Sequence, residues 1–264
     1  MTTASPAEFN GAAPSKPKRK RIEPLKAIRA IRALIADKED TGQVFKIIDA
    51  LSGNVRDRQF KRFIATEAGQ RIVAEKRDLI AALNDRERLS RLPEGTLGRA
   101  YYEFMAEENL TADGLVDASR EVPLRDERPE DEQIFGDRLR DSHDLWHVTT
   151  GYGRDGLGEL ALLAFSYAQT RNRGIGFIVL VGWRISTKRN PDLKLGRVIR
   201  EGFRHGKRAA WLPTADWEAL LDRPLEEVRA LLNIAPPAAY RAVEPVTTER
   251  ERQFIERQAL KKAA

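Results

Sequence analysis

The chain has no cysteine, which removes disulfides, thiolate zinc sites, iron–sulfur clusters and cysteine nucleophiles from consideration. Histidine is nearly as scarce, with three in 264 residues, and aromatics make up 7%. Long apolar runs are missing too. The longest, Ile175–Trp183, is nine residues, whereas a membrane span needs roughly 20. No apolar signal-peptide core precedes the basic N-terminal cluster, so a cytoplasmic location is expected. Neither an alternating strand pattern nor an internal repeat is present. Charged residues at 33% and a mean hydropathy of −0.51 describe a soluble, helix-leaning composition.

Positive charge is what the N-terminus has in abundance. Residues 16–32 carry eight Lys and Arg against Glu23 alone, a balance of +7, so the rest of the +6 chain sums to −1. A nucleic-acid reading rests on this segment only and lacks a recognition helix with base-reading residues. Residues 1–24, with Pro6, Pro14, Pro17 and Pro24 among Ala, Ser, Lys and Arg, are expected to be a disordered basic tail. From Leu25, the spacing of Leu25, Ile28, Ile31, Leu34 and Ile35 predicts a helix. With Lys26, Arg29 and Arg32 between them, that helix is either a basic amphipathic surface for anionic lipid or an ordinary packed helix behind a solvated tail.

Helical periodicity then continues. Val44, Ile47, Ile48 and Leu51 form a face closed by Gly53, and Phe60, Phe63 and Ile64 form a short helix. Thr96, after the turn Pro93-Glu94-Gly95, is placed to cap a helix bearing Leu97, Tyr101, Phe104 and Met105. Residues 109–129 read as an irregular connection, and one helix is expected from Asp131 to about Val148. Further helices are predicted over Gly158–Thr170, Ile175–Ile185, Leu193–Arg204, Leu220–Leu232 (broken by Pro224) and Glu249–Lys262. The fold class is therefore all-α. It comprises a tail over 1–24, one multi-helix domain over 25–238 and a helical extension over 239–264.

Two of the three histidines lie in His143-Asp144-Leu145-Trp146-His147. Positions i and i+4 share a helix face, so both imidazoles can address one site, with Asp144 at its edge. Glu159 follows after eleven residues that include Gly151, Gly153, Gly156 and Gly158. Those glycines let the chain reverse and bring Glu159 opposite the histidines. Zinc and non-haem iron both accept such a donor set of His143, His147 and Glu159, with Asp144 as a fourth ligand or an acceptor that fixes a tautomer. Zinc-protease helices carry Glu directly after the first His as general base; Asp144 stands there instead. No Ser or Lys nucleophile motif accompanies the ligands to suggest a metallohydrolase. His205, near a helix end, is read as structural or exposed, and packing is the default for Trp146, Trp183, Trp211 and Trp217.

The spacing His-Asp-x-x-His-x11-Glu resembles the signature of the coenzyme Q biosynthesis protein 4 family. The likeness extends to Leu92-Pro93-Glu94-Gly95-Thr96-Leu97-Gly98 with Tyr101, to Arg138 and Arg140, to Gly158-Glu159-Leu160, and to Gly206-Lys207-Arg208-Ala209, Trp217-Glu218 and Pro224-Leu225. It covers roughly residues 40–235. The resemblance implies an all-helical protein of ubiquinone biosynthesis that acts on a prenylated aromatic ring. It also implies peripheral attachment to the cytoplasmic face of the inner membrane and work beside other biosynthetic proteins. The family has been read as an enzyme that replaces the C1 carboxylate of a 4-hydroxybenzoate-type ring by hydroxyl, and as a scaffold or lipid carrier. On the enzyme reading, Arg138 pairs with the substrate carboxylate or, more blandly, with Asp141 or Glu130 on the surface. The prenyl tail is expected between the helices at 158–170 and 175–185, against Leu160, Leu163, Ala164 and Tyr167. Homodimerisation through an apolar helix suits the fold, although no heptad seam marks it.

Overall fold

The computed structural model describes residues 21–37, 40–107 and 128–263. The expected tail at 1–20 and nearly all of the connection at 109–129 lie outside them. Among the described residues every regular element is helical, and the one β contact is an isolated bridge between Thr96 and Pro224. The all-α expectation holds.

The centre of the molecule is α10 (Gly156–Thr170), apolar on nearly every side, with Ala161, Leu162 and Phe165 at 0% exposure. A helix hydrophobic all round needs partners all round. On one side lies α12 (Gly196–Arg208), whose Gly202 and Gly206 rest directly on the α10 backbone. A Cβ on either glycine would come within 2.4 Å of the carbonyl oxygen of Ala161 or Phe165. The spacing of four puts both glycines on one face, so the two helices touch backbone to backbone. On another side, α11 (Arg173–Arg189) joins α1 (Pro24–Ala36) and α2 (Thr41–Ser52) around Ala27, Ala30, Ile31, Ile47, Ala50 and Ile178.

The stripe that α1 buries is thus two alanines and Ile31. Leu25, Ile28 and Ile35 remain exposed, against the simple reading of its apolar spacing. Small side chains let α1 approach α2 more closely than leucine would. Next come α3 (Val55–Ile64), α4 (Glu67–Ala74), α5 (Leu79–Asn84) and α6 (Arg86–Arg91). The Thr96 hydroxyl caps α7 (Leu97–Glu107) by accepting from Arg99 N. Leu97 N and Gly98 N donate to the carbonyls of Arg223 and Leu221, and Leu225 N donates to Gly95 O. The two sequence segments around Gly95 and Pro224 are therefore one structural unit.

The single helix expected from 131 to 148 is two: α8 (Glu130–Asp141) and α9 (His143–Thr150). They meet at Ser142, whose ψ of −2° departs from helical geometry while its φ of −78° does not. Serine sits readily at such a junction, and the break gives the histidines a short helix of their own. Leu220–Leu232 is likewise divided, into α13 (Trp217–Leu220) and α14 (Leu225–Leu231) around Pro224. Past Pro237, α15 (Ala238–Arg241) turns into α16 (Glu244–Ala263), which starts five residues earlier than its periodicity suggests. Arg250 anchors α16 through a two-pronged contact with Asp192 at 2.7 and 2.8 Å.

A candidate metal centre between two short-looped helices

Helix α9 is eight residues long and would not persist alone. Its C-terminal carbonyls are closed from two directions. Gly151, at φ +73°, donates its N–H to His147 O. From α14, the Arg229 guanidinium donates to the carbonyls of Thr149 at 2.9 Å and Val148 at 3.0 Å. The orphan acceptors of the helix end are thereby satisfied.

His147 is almost fully buried, with its Nδ1–H donating to the Tyr152 carbonyl at 2.9 Å. That bond fixes the ring and turns Nε2 toward the site. His143 meets it edge-on, centroids 4.9 Å apart, with the two Nε2 atoms at 3.2 Å. Glu159, in the first turn of α10, faces both: Oε1 is 3.4 Å from His147 Nε2, and Oε2 is 3.8 Å from His143 Nε2. Asp144 is buried beside them, with one ligand atom from each of His143, Asp144 and His147 inside a 4.8 Å span. His143, Asp144 and His147 form a group that could hold a metal ion, and Glu159 faces the two imidazoles from α10.

Charge is distributed unevenly over this cluster. Loss of water alone would raise the Glu159 carboxyl. The charge and hydrogen bond of His147, with His143 and Arg154, overcome that and hold it at about 2. Burial disfavours charge on His147 as well, yet Glu159 and the Tyr152 carbonyl leave it raised. His143 is lowered, by burial first and then by the charge of His147. The shifts of His147 and Glu159 thus run in the opposite directions expected of an imidazole and a carboxylate that stabilise each other's charge.

Several neighbours have no signal in the sequence. Phe104 of α7 stacks on the His147 ring at 5.6 Å with a 24° tilt. A cavity of about 310 Å³ opens there, lined by Ala100, Glu103, Phe104, His147, Tyr152 and Leu225, among others. Arg154 Nε lies 3.6 Å from Glu159 Oε1 and is the guanidinium at the site.

Arg138 is elsewhere. It is 3% exposed, with Nη1 and Nη2 each 2.7 Å from a Glu218 oxygen and Nη2 also donating to Ala215 O at 2.8 Å. It therefore pairs with neither Asp141 nor Glu130, which instead engage Arg140 and Lys76. The residues expected to line a groove between α10 and α11 have the following neighbours. Leu160 packs over Gly182 and Tyr167 over Gly176, while Leu163 joins the cluster around Ile178 and Ala164 is buried. His205, in the last turn of α12, is half-buried; burial lowers its imidazole, and it lies 3.5 Å from the Tyr152 hydroxyl.

The sequence profile of the coenzyme Q (ubiquinone) biosynthesis protein Coq4 family matches residues 22–238. The chain belongs to that family. It is 30% identical over 174 residues to the ubiquinone biosynthesis protein COQ4 homolog, mitochondrial, of Anopheles gambiae, a stretch covering 64% of this chain and 58% of that protein. It is 27% identical over 198 residues to the COQ4 protein, mitochondrial, of Lachancea thermotolerans, covering 72% and 57%. The chain thus spans less than two thirds of the length of either relative. A crystal structure from Nostoc punctiforme, of a protein provisionally assigned to ubiquinone biosynthesis, shares the fold. Its TM-score is 0.60 at 24% identity, over 80% of this chain and 98% of that one. Among the described residues no helix is long and apolar enough to cross a membrane.

Proposed function

We propose that this chain is a metal-dependent enzyme of ubiquinone biosynthesis that exchanges the C1 carboxylate of a prenylated 4-hydroxybenzoate-type ring for a hydroxyl. The observation carrying the metal part is the converging pair of imidazole Nε2 atoms, 3.2 Å apart, opposite a carboxylate. Two nitrogens each ~2.05 Å from one tetrahedral ion lie about 3.3 Å apart, so the donors already have the spacing an ion asks for. His143, His147 and Glu159 would hold it, with Asp144 beside them and the Tyr152 carbonyl fixing the His147 tautomer. When bound, zinc supplies Lewis-acid polarisation and iron adds electron transfer.

The chain's own groups divide the remaining work. Phe104 offers an aromatic face beside His147 for a ring, and Arg154 offers a cation for a ring carboxylate. Glu159, held at about 2 by its cationic neighbours, supplies negative charge to the site rather than a base. In the reaction the ring–carboxylate bond breaks, carbon dioxide leaves and a C–O bond forms. That is a two-electron oxidation, so an oxidant such as dioxygen enters as co-reactant. Peripheral attachment to the inner membrane and assembly with other ubiquinone biosynthesis proteins accompany this reading.

Metal analysis of the purified full-length protein and of His147→Ala, followed by incubation with a prenylated 4-hydroxybenzoate, tests it. Stoichiometric metal lost in the variant, with carbon dioxide released by wild type alone, is the expected result. Metal retained without turnover would move the assignment to a scaffold or lipid carrier. Absence of metal from wild type would refute the centre itself.

A further inference from the structure

The two halves of the candidate centre are joined by one loop, Gly151–Asp155, and both of its ends carry site geometry. At one end the Tyr152 carbonyl orients His147. At the other, Asp155 Oδ1 caps α10 by accepting from Leu157 N at 3.0 Å and Gly158 N at 3.1 Å, four residues before Glu159. The spacing between His147 and Glu159 therefore depends on how firmly this loop is held.

One hydroxyl bridges its middle to its end. Tyr240 Oη accepts from Gly153 N at 3.1 Å and donates to Asp155 Oδ2. Tyr240 is 5% exposed, its ring edge-on to Tyr152 with centroids 5.5 Å apart. Its own position is set by Glu201 of α12, whose carboxylate accepts from Ala239 N at 2.7 Å and Tyr240 N at 3.2 Å. Farther along, Glu251 of α16 accepts from Gly156 N at 3.1 Å, so the C-terminal segment grips the start of α10 twice. Both Tyr240 and Glu251 lie beyond residues 22–238, the part matched by the family.

We infer that Tyr240 is a positioning residue of the metal centre, its hydroxyl fixing the separation of His147 and Glu159 by tying Gly153 to Asp155. The inference rests on the metal-binding reading above. Removing only the oxygen leaves the ring packing and the Asp155 Oδ1 cap in place. What is lost is the tie across the loop. Groups hydrogen-bonded directly to metal ligands typically govern ten- to a hundredfold in affinity, and Tyr240, one bond further out, belongs at the lower end of that range.

The test is a Co2+ titration, followed by visible absorbance, of the full-length wild type, His147→Ala and Tyr240→Phe. It is paired with amide exchange over residues 152–158 in the metal-free proteins. Tyr240→Phe is expected to bind Co2+ at least tenfold more weakly than wild type, with an altered absorption band and faster exchange in the loop. Wild-type affinity and spectrum in Tyr240→Phe, with His147→Ala inactive in binding, would overturn this inference while leaving the metal centre standing. Unchanged loop exchange would overturn it equally. No Co2+ binding by wild type would remove the metal reading and this inference together. If Tyr240→Phe does not fold, Asp155→Asn, which keeps an oxygen for the cap of α10 and replaces the acceptor of the Tyr240 hydroxyl by an amide N–H, takes its place.

Discussion

Replacing Arg138 by Met removes a buried cation while keeping the length of the side chain. The guanidinium meets both oxygens of Glu218 at 2.7 Å and the Ala215 carbonyl at 2.8 Å, so the variant strands a carboxylate and an acceptor at once. Breaking one partner of a buried ion pair costs about 3–5 kcal/mol. Glu218 keeps 22% of its side chain in contact with solvent, which argues for the lower end, about 3 kcal/mol. At roughly 2–4 °C per kcal/mol for a chain of this size, the melting temperature should fall by about 6–12 °C. Circular-dichroism melts of the metal-free proteins measure this, with Co2+ affinity expected to stay within twofold of wild type.

Acid provides a second reading of the same variant. Burial works against charge on Glu218, but the hydrogen bond and charge of Arg138 hold its carboxyl below the usual 4.5. The stability it contributes is present above the unfolded-state value and is lost as pH falls through the depressed folded one. The gap between wild type and Arg138→Met should therefore narrow below about pH 4.5. Adding Glu218→Gln to Arg138→Met should restore more than half of the loss at pH 7. A single variant that melts within about 2 °C of wild type yet no longer takes the aromatic acid would refute the reasoning and return Arg138 to the substrate.

Two further outcomes are expected. Gly206→Ala forces a methyl to within 2.4 Å of Phe165 O and 2.9 Å of Ala168 Cβ, so the α10–α12 contact must open; a loss of about 1–3 kcal/mol in urea unfolding is expected, and an unchanged midpoint would contradict backbone contact between these helices. Asp141 is pushed up to about 6 by burial, against the lowering pull of Arg140. The folded protein thus binds its proton more tightly than the unfolded chain does, and this group's contribution grows as pH falls from about 7 toward 4. Asp141→Asn should flatten that slope and raise stability at pH 7 by at most ~3 kcal/mol; denaturant titrations at several pH values decide it.

Much of the centre was legible because its chemistry is local. His143 and His147 share a helix face by spacing alone, and the glycines before Glu159 announce a reversal of the chain. Thr96 capped its helix where expected for the same reason. What stayed hidden was contributed by backbone atoms or by distant partners. The carbonyl of Tyr152 has no side-chain signature, and nothing near Phe104 or Arg154 links them to a site 40 residues away or across a loop. The sequence offered Arg138 only nearby or substrate partners, whereas its actual partner Glu218 lies 80 residues on. For Leu160 and Tyr167, periodicity said apolar; only the positions of Gly182 and Gly176 on α11 show what they lie against. On α1 the larger residues were the natural choice for a buried stripe, and the alanines took it because they allow closer approach.

The clamp that Arg229 places on α9 spans 80 residues of chain, and the tie from Tyr240 to Asp155 spans 85. During synthesis, then, the histidines and Glu159 emerge long before the groups that hold them. Contacts of such separation form late, after the intervening loop has been closed. On the proposed metal reading, the nascent chain would carry a loosely organised pair of imidazoles, and the arrangement of His147 opposite Glu159 would be complete only once the last helices have docked.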